Sequence, residues 1–219
     1  MNQLSLQKAL PYYQQIQQTI KEQIWKGEYK PGERVYEAQI AKQFSISRSP
    51  VREAIRTLIH EGLLVMDERS QISVYKPSWE DVKDIYDCRL SLETTAVALA
   101  AERITNEQLH LLDQVLRDTE EAIIKGEKSE IVVLNARFHD LIIDYSGNRR
   151  LKKLVEELAS LTYYYRSLNI VGPKRAEAIL VGHRRIFTAI GEKKPEKAAL
   201  AVREHTEEDL RNLSALFEQ

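Results

Sequence analysis

Apolar residues return at helical spacing almost from the start of the chain. Ile16, Ile20 and Ile24, with Tyr12, Tyr13 and Trp25 beside them, predict an amphipathic helix over residues ~9–26. Gly27 stands where a helix stop belongs, and Pro31-Gly32 marks a turn. A short helix over 37–44 follows, with Ile40, Ala41 and Phe44 on one face. Ser45-Ile46-Ser47 makes a tight connection, and the next helix starts at Ser47, which reads as an N-cap. Val51, Ala54, Ile55 and Leu58 form its apolar stripe until Gly62 ends it. Pro50 falls within the first turn, where its missing N–H breaks no helical bond. After Gly62 the period changes. Residues 63–66 and 72–75 are short β-compatible runs around a polar tip at 67–71. Three helices and a two-stranded hairpin predict a winged helix-turn-helix.

Pro77 stops the chain, so the stretch 75–78 is the expected boundary between domains 1–76 and 77–219. Ser78, with Asp81 three residues on, resembles a capping box. Beyond it the pattern is helical throughout, with helices expected near 78–102, 105–125, 129–146, 148–169, 173–192 and 194–218. Gly126, Gly147, Gly172-Pro173 and Gly191 punctuate them. Short connections predict an all-α antiparallel bundle, so the fold class is mainly α.

Composition agrees with this reading. Among 219 residues, 43% are hydrophobic and 30% charged, enough for an ordinary core, and 8 Gly with 6 Pro favour long helices over turns. The one cysteine, Cys88, excludes an intrachain disulfide and fits a reducing compartment. No secretory signal and no bilayer-length apolar run are present, so a cytoplasmic protein without a membrane partner is expected. Net charge is −1, which does not announce a nucleic-acid binder. Its distribution is uneven: roughly 11 Lys and Arg against 8 Asp and Glu through Lys76, then about 21 against 25.

The basic residues matter if they fall on one reading element. In a helix-turn-helix the second helix enters the major groove with its first residues against base edges. Here that segment is Ser47-Arg48-Ser49-Pro50-Val51-Arg52. Arg48 and Arg52 lie four apart and share a face, and an arginine fork matches guanine O6 and N7. Two arginines on a solvated face are also commonplace. The wider pattern decides between these readings. Ile24, Gly27, Pro31-Gly32, Glu37, Ile40-Ala41, Phe44, the run Ile46 to Ala54 and Glu61-Gly62-Leu63 closely resemble the DNA-binding domain of the GntR family of bacterial regulators. The resemblance implies base contacts by Arg48 and Arg52 and phosphate contacts by Ser47 and Ser49, with Arg34 and Lys42 as further phosphate candidates. The wing departs from the family: its tip is Arg69-Ser70-Gln71 rather than glycine-rich, and Arg69 is the residue that would enter a narrow minor groove.

Three of the five histidines sit on apolar stripes: His139, four residues after Asn135, then His183 and His205. A single histidine there is ordinarily a hydrogen-bonded core residue. Three on inner faces of three helices are costly to bury unless something satisfies them, and a divalent cation such as Zn or Ni does so. Asn135-Ala136-Arg137-Phe138-His139, Ser146-Gly147-Asn148, His183-Arg184-Arg185-Ile186 and His205 resemble the FCD domain of the FadR subfamily, with six helices as in its VanR-like form. The resemblance implies a metal held by Asn135, His139, His183 and His205 at the base of an effector cavity. Asn135 stands where Asp is usual, and Gly182 where an acidic residue is frequent. Arg89 and Glu93, one helical turn apart, are a surface-type ion pair on the bland reading. The resemblance implies instead that Arg89 points into the cavity and pairs with a ligand carboxylate, with Glu93 and Tyr164 as further effector contacts.

The expected protein is therefore a homodimeric transcription regulator, not an enzyme. It reads a near-palindromic double-stranded operator and responds to a small carboxylate bound over a divalent metal. Two alternatives stay open: the cation itself is the effector, or the histidines serve a metal-dependent hydrolase.

Overall fold

The computed structural model describes residues 10–217, so the outermost residues of the first and last expected helices lie outside the described chain. Among the described residues there are nine helices and two strands, and the chain divides between Lys76 and Pro77 into two compact units.

The first unit holds α1 (Tyr12–Trp25), α2 (Glu37–Gln43), α3 (Arg48–His60), β1 (Leu64–Met66) and β2 (Ile72–Val74). Helix α1 begins later than its apolar pattern suggests because Pro11 keeps Leu10 out of helical geometry. Ile16, Ile20 and Ile24 of α1 are buried together with Val51, Ala54, Ile55 and Leu58 of α3. That packing presents the first turn of α3 outward. Gly62 adopts φ 77° beyond the end of α3, and the N–H groups of Gly62 and Leu63 bond back to Ile59 and Leu58. This left-handed turn drops the chain directly into β1, and a side chain at 62 would be strained there. The hairpin is antiparallel with Leu64 opposite Val74 and Met66 opposite Ile72, and Leu64 and Val74 are buried. At its tip Asp67 Oδ1 accepts from the backbone N–H groups of Arg69 (2.9 Å) and Gln71 (2.8 Å). A third strand-like segment was not apparent from the sequence: Gly32, Glu33 and Val35 bond to the backbone of Ile72 and Val74. The polar Glu33-Arg34 pair breaks the alternation that would have revealed it.

The second unit consists of α4 (Trp79–Arg103), α5 (Asn106–Lys125), α6 (Lys128–Tyr145), α7 (Arg149–Asn169), α8 (Pro173–Gly191) and α9 (Pro195–Ser214). Five of the six starts have a local cause. Ser78 accepts the N–H of Asp81, Asn148 accepts those of Arg150 and Leu151, and Pro173 and Pro195 open α8 and α9 where no N–H is needed. Thr105 and Gln108 form a reciprocal capping box before α5. The core gathers Val97, Ala100, Leu112, Leu116, Phe138, Ile142, Ile186, Ile190 and Val202 from five helices. Ala96, Ala100 and Ala101 of α4 are fully buried, which lets neighbouring helices approach closely. Among the described residues no helix is long and apolar enough to cross a membrane.

Thr105→Ala removes one half of the only reciprocal cap described and should cost about 1 kcal/mol. A urea titration checks this as a lower midpoint at unchanged slope, whereas an unmoved midpoint would show that the box contributes nothing to stability.

Candidate metal centre and nucleic-acid interface

Five helices of the second unit send polar side chains into one buried cluster. Helix α4 contributes Arg89 and Glu93, α6 Asn135 and His139, α7 Arg166, α8 His183, and α9 His205 and Asp209, all buried. Asn135 and His139 lie one turn apart on α6, as do Arg89 and Glu93 on α4, so each helix delivers a pair from one face. One ligating atom from each of His139, His183 and His205 lies within 4.8 Å of the others. His139 Nε2 and His183 Nε2 are 3.2 Å apart. Phe138, fully buried, stacks on His183 with ring centroids 4.2 Å apart and fixes its plane. The departure at Gly182 has a steric meaning. A Cβ there would lie 2.6 Å from His205 Nδ1, so the bare backbone makes room for the imidazole.

Glu93 joins the histidines to the arginines. Its Oε1 accepts from Arg89 Nε at 2.9 Å and from Arg166 Nη2 at 3.1 Å, while its Oε2 lies 3.0 Å from His139 Nδ1. Burial alone would raise the Glu93 pKa, but Arg89, His139 and Arg166 outweigh it and hold the carboxyl well below its usual range. Burial pulls His139 down to about 3, with Arg166 pushing the same way, and it lowers His183 and His205 as well. The three imidazoles are therefore neutral at physiological pH. With its Nδ1 proton directed at Glu93, neutral His139 keeps a lone pair at Nε2.

These residues fit a divalent cation. Asn135 Oδ1 and His205 Nε2 are buried without a hydrogen-bond partner, and His139 Nε2 and His183 Nε2 face one another. Two nitrogens on a tetrahedral ion with bonds of about 2.0 Å stand about 3.3 Å apart, close to the His139–His183 separation. Three neutral imidazoles and a carboxamide oxygen form a nitrogen-rich donor set suited to Zn, Ni or a similar ion.

The other expected effector contacts fare differently. Arg89 is buried with its Cζ 4.4 Å above the Tyr86 ring, and among the described residues its Nη1 and Nη2 have no hydrogen-bond partner of good geometry, Tyr86 being the polar neighbour. Glu93 faces protein groups with both oxygens, Oε1 hydrogen-bonded to the two arginines and Oε2 3.0 Å from His139 Nδ1. Tyr164 is buried against Tyr165, with centroids 5.8 Å apart, and among the described residues no contact joins it to the histidines or arginines. The α7 residue that reaches the cluster is Arg166, two positions on. The sequence offered a signal for it, a lone arginine following three tyrosines, but not its direction. Arg175 and Asp209, paired across α8 and α9 beside His205, were likewise not anticipated.

In the first unit Ser47, Arg48, Ser49, Arg52, Arg34, Lys42 and Arg69 are all exposed. Ser47 occupies the N-cap position of α3, but its hydroxyl makes no capping bond, so that hydroxyl is available to an outside acceptor. Arg52 Nε donates to Glu37 Oε2 of α2 at 2.8 Å, which aims the rest of the guanidinium away from the protein.

Two segments match known families: residues 12–74 match "Bacterial regulatory proteins, gntR family", and residues 84–208 match the FCD domain. A Bacillus subtilis relative, the uncharacterized HTH-type transcriptional regulator YdhC, is 42% identical over 100% of this chain and 98% of its own. The chain belongs to the gntR family of bacterial regulatory proteins. Escherichia coli McbR, an HTH-type transcriptional regulator, is 30% identical over 71% of this chain and 72% of its own. The solved E. coli McbR/YncC structure superposes with a TM-score of 0.80 at 24% identity, covering 96% of this chain and 99% of that one, which shows the shared fold. A gntR-type protein with an FCD domain is a DNA-binding transcriptional regulator, and the hydrolase alternative is set aside on the strength of these matches.

The buried neutral histidines make stability depend on pH. Unfolded imidazoles titrate near about 6.5, whereas His139 in the fold is lowered to about 3. Between these values the unfolded chain holds protons that the folded chain refuses, so stability falls as pH drops below about 6.5. Metal-free protein should melt at a lower temperature at about pH 5 than at about pH 7.5, and His139→Asn should shrink the difference. Equal melting temperatures at both values would contradict the burial of neutral imidazoles.

Proposed function

We propose that this gntR-family regulator binds a near-palindromic operator as a homodimer in the cytoplasm, and that a small carboxylate held beside a divalent cation in the FCD domain modulates that binding. The observation that carries the proposal is the convergence of three neutral imidazoles with an arginine whose terminal nitrogens are buried without a hydrogen-bond partner of good geometry. Asn135, His139, His183 and His205 would hold the ion, which supplies a Lewis-acidic anchor for a ligand oxygen. Glu93 orients His139 by accepting from its Nδ1–H and holds Arg89 through Nε, leaving the two Nη groups for a carboxylate. Those unanswered donors favour an organic anion over a reading in which the cation alone is the signal. In the first unit Arg48 and Arg52 would meet base edges, Ser47 and Ser49 phosphates, Arg34 a further phosphate, and Arg69 the minor groove.

A duplex selected from a random pool by the full-length protein provides the test. Arg48→Ala should weaken binding to it by about 1–3 kcal/mol per half-site in mobility-shift titrations while the melting temperature holds. Unchanged, sequence-specific binding would overturn the assignment of the reading helix. His139→Ala with His183→Ala should reduce bound metal from about one per chain to a trace by elemental analysis. Metal retained in full by that double variant would refute the centre.

A further inference from the structure

Arg166, though paired with Glu93 through Nη2, keeps a buried donor, Nε, that a single carboxylate on Arg89 leaves unanswered. Its side chain is 5% exposed, Arg89 is 2% exposed and Glu93 5%. Both guanidiniums converge on the same oxygen, Glu93 Oε1. The donors left over are Arg89 Nη1, Arg89 Nη2 and Arg166 Nε, each buried and without a hydrogen-bond partner of good geometry among the described residues.

Charge counting gives the same answer as donor counting. Two buried cations face one buried anion, the histidines are neutral, and Arg175 and Asp209 cancel one another. Asp140 of α6 also acts on Arg166 and offsets the second cation. The protein's own groups are thus near balance before any ion binds, and a divalent ion adds two positive charges. Asn135 contributes no charge to offset them. Burial first, and then the neighbouring Arg89, lower the Arg166 pKa by more than Glu93 and Asp140 raise it. A monocarboxylate bridging Arg89 and the ion removes one charge and leaves the Arg166 donor empty.

We propose that the effector carries two anionic groups, and that Arg166 is the specificity-determining residue that receives the second. The inference rests on the reading of this cluster as a carboxylate site. The class of ligand is a small dicarboxylate, compact enough for both ends to lie within one buried cluster.

The test uses zinc-loaded full-length protein and matched acid pairs that differ by one carboxylate replaced with methyl: succinate and butyrate, malate and 2-hydroxybutyrate, 2-oxoglutarate and 2-oxopentanoate. Calorimetric titration should show the best-bound diacid exceeding its monoacid partner by at least about tenfold. Arg166→Gln should cut diacid affinity by at least about tenfold more than monoacid affinity, so that the ratio collapses, whereas Arg89→Gln should weaken both members of a pair. If circular dichroism shows that the glutamine variant does not fold, Arg166→Lys, which keeps the charge and loses the fork, should lower the same ratio. Pairs that bind equally well, or an Arg166 variant that weakens both members alike, would overturn the inference while leaving the carboxylate site standing. Wild-type protein that binds no acid of either kind would overturn that site itself.

Discussion

A buried carboxylate holds the second unit's chemistry together. Glu93 lies between a metal-ligand candidate, His139, and two guanidiniums, so three helices, α4, α6 and α7, are fastened at one charged point. Taking such charges out of water costs several kcal/mol per ion, which is recovered only when partners and geometry are good. The partners here are good on the Glu93 side and incomplete on the arginine and imidazole sides. Unpaired donors and lone pairs cost stability that apolar packing would not, and this favours the proposed binding site over a purely structural ion pair.

The rest of the bundle reads as support for that point. Phe138 fixes the plane of His183, Gly182 leaves space for His205, and Tyr86 lies beneath Arg89. None of these contacts is large in energy. Each removes a degree of freedom from a side chain that would have to be aligned when a ligand arrives, and ordering those groups in advance lowers the entropic cost of binding. The reading head follows a related logic on the surface, where Glu37 orients Arg52 through Nε. An arginine held this way has fewer rotamers to lose on meeting a base edge.

Much of this was legible from residue spacing. Helical periodicity identified every helix of both units, and the turn at Gly62 announced the wing. The 4-residue interval between Asn135 and His139, and between Arg89 and Glu93, placed each pair on one helix face. What spacing could not supply was which faces meet. Arg166 sits amid a tyrosine run with no periodic signal of its own, and its meeting with Glu93 is 73 residues away in sequence. Tyr164, taken from the tyrosine cluster as an effector contact, has its ring against that of Tyr165. The pairing of residues 32–35 with β2 was hidden for a similar reason, since long-range partners leave no trace in a short polar segment.

The central claim is that Glu93 couples the metal centre to the anion site, and zinc affinity in the Glu93→Gln variant tests it most directly. Competition against a chromophoric chelator should show binding weakened by about 10- to 100-fold, because a neutral glutamine accepts the His139 Nδ1–H hydrogen bond more weakly than a carboxylate does. Zinc affinity equal to that of the unaltered protein, in a variant that melts as a folded chain, would contradict the account.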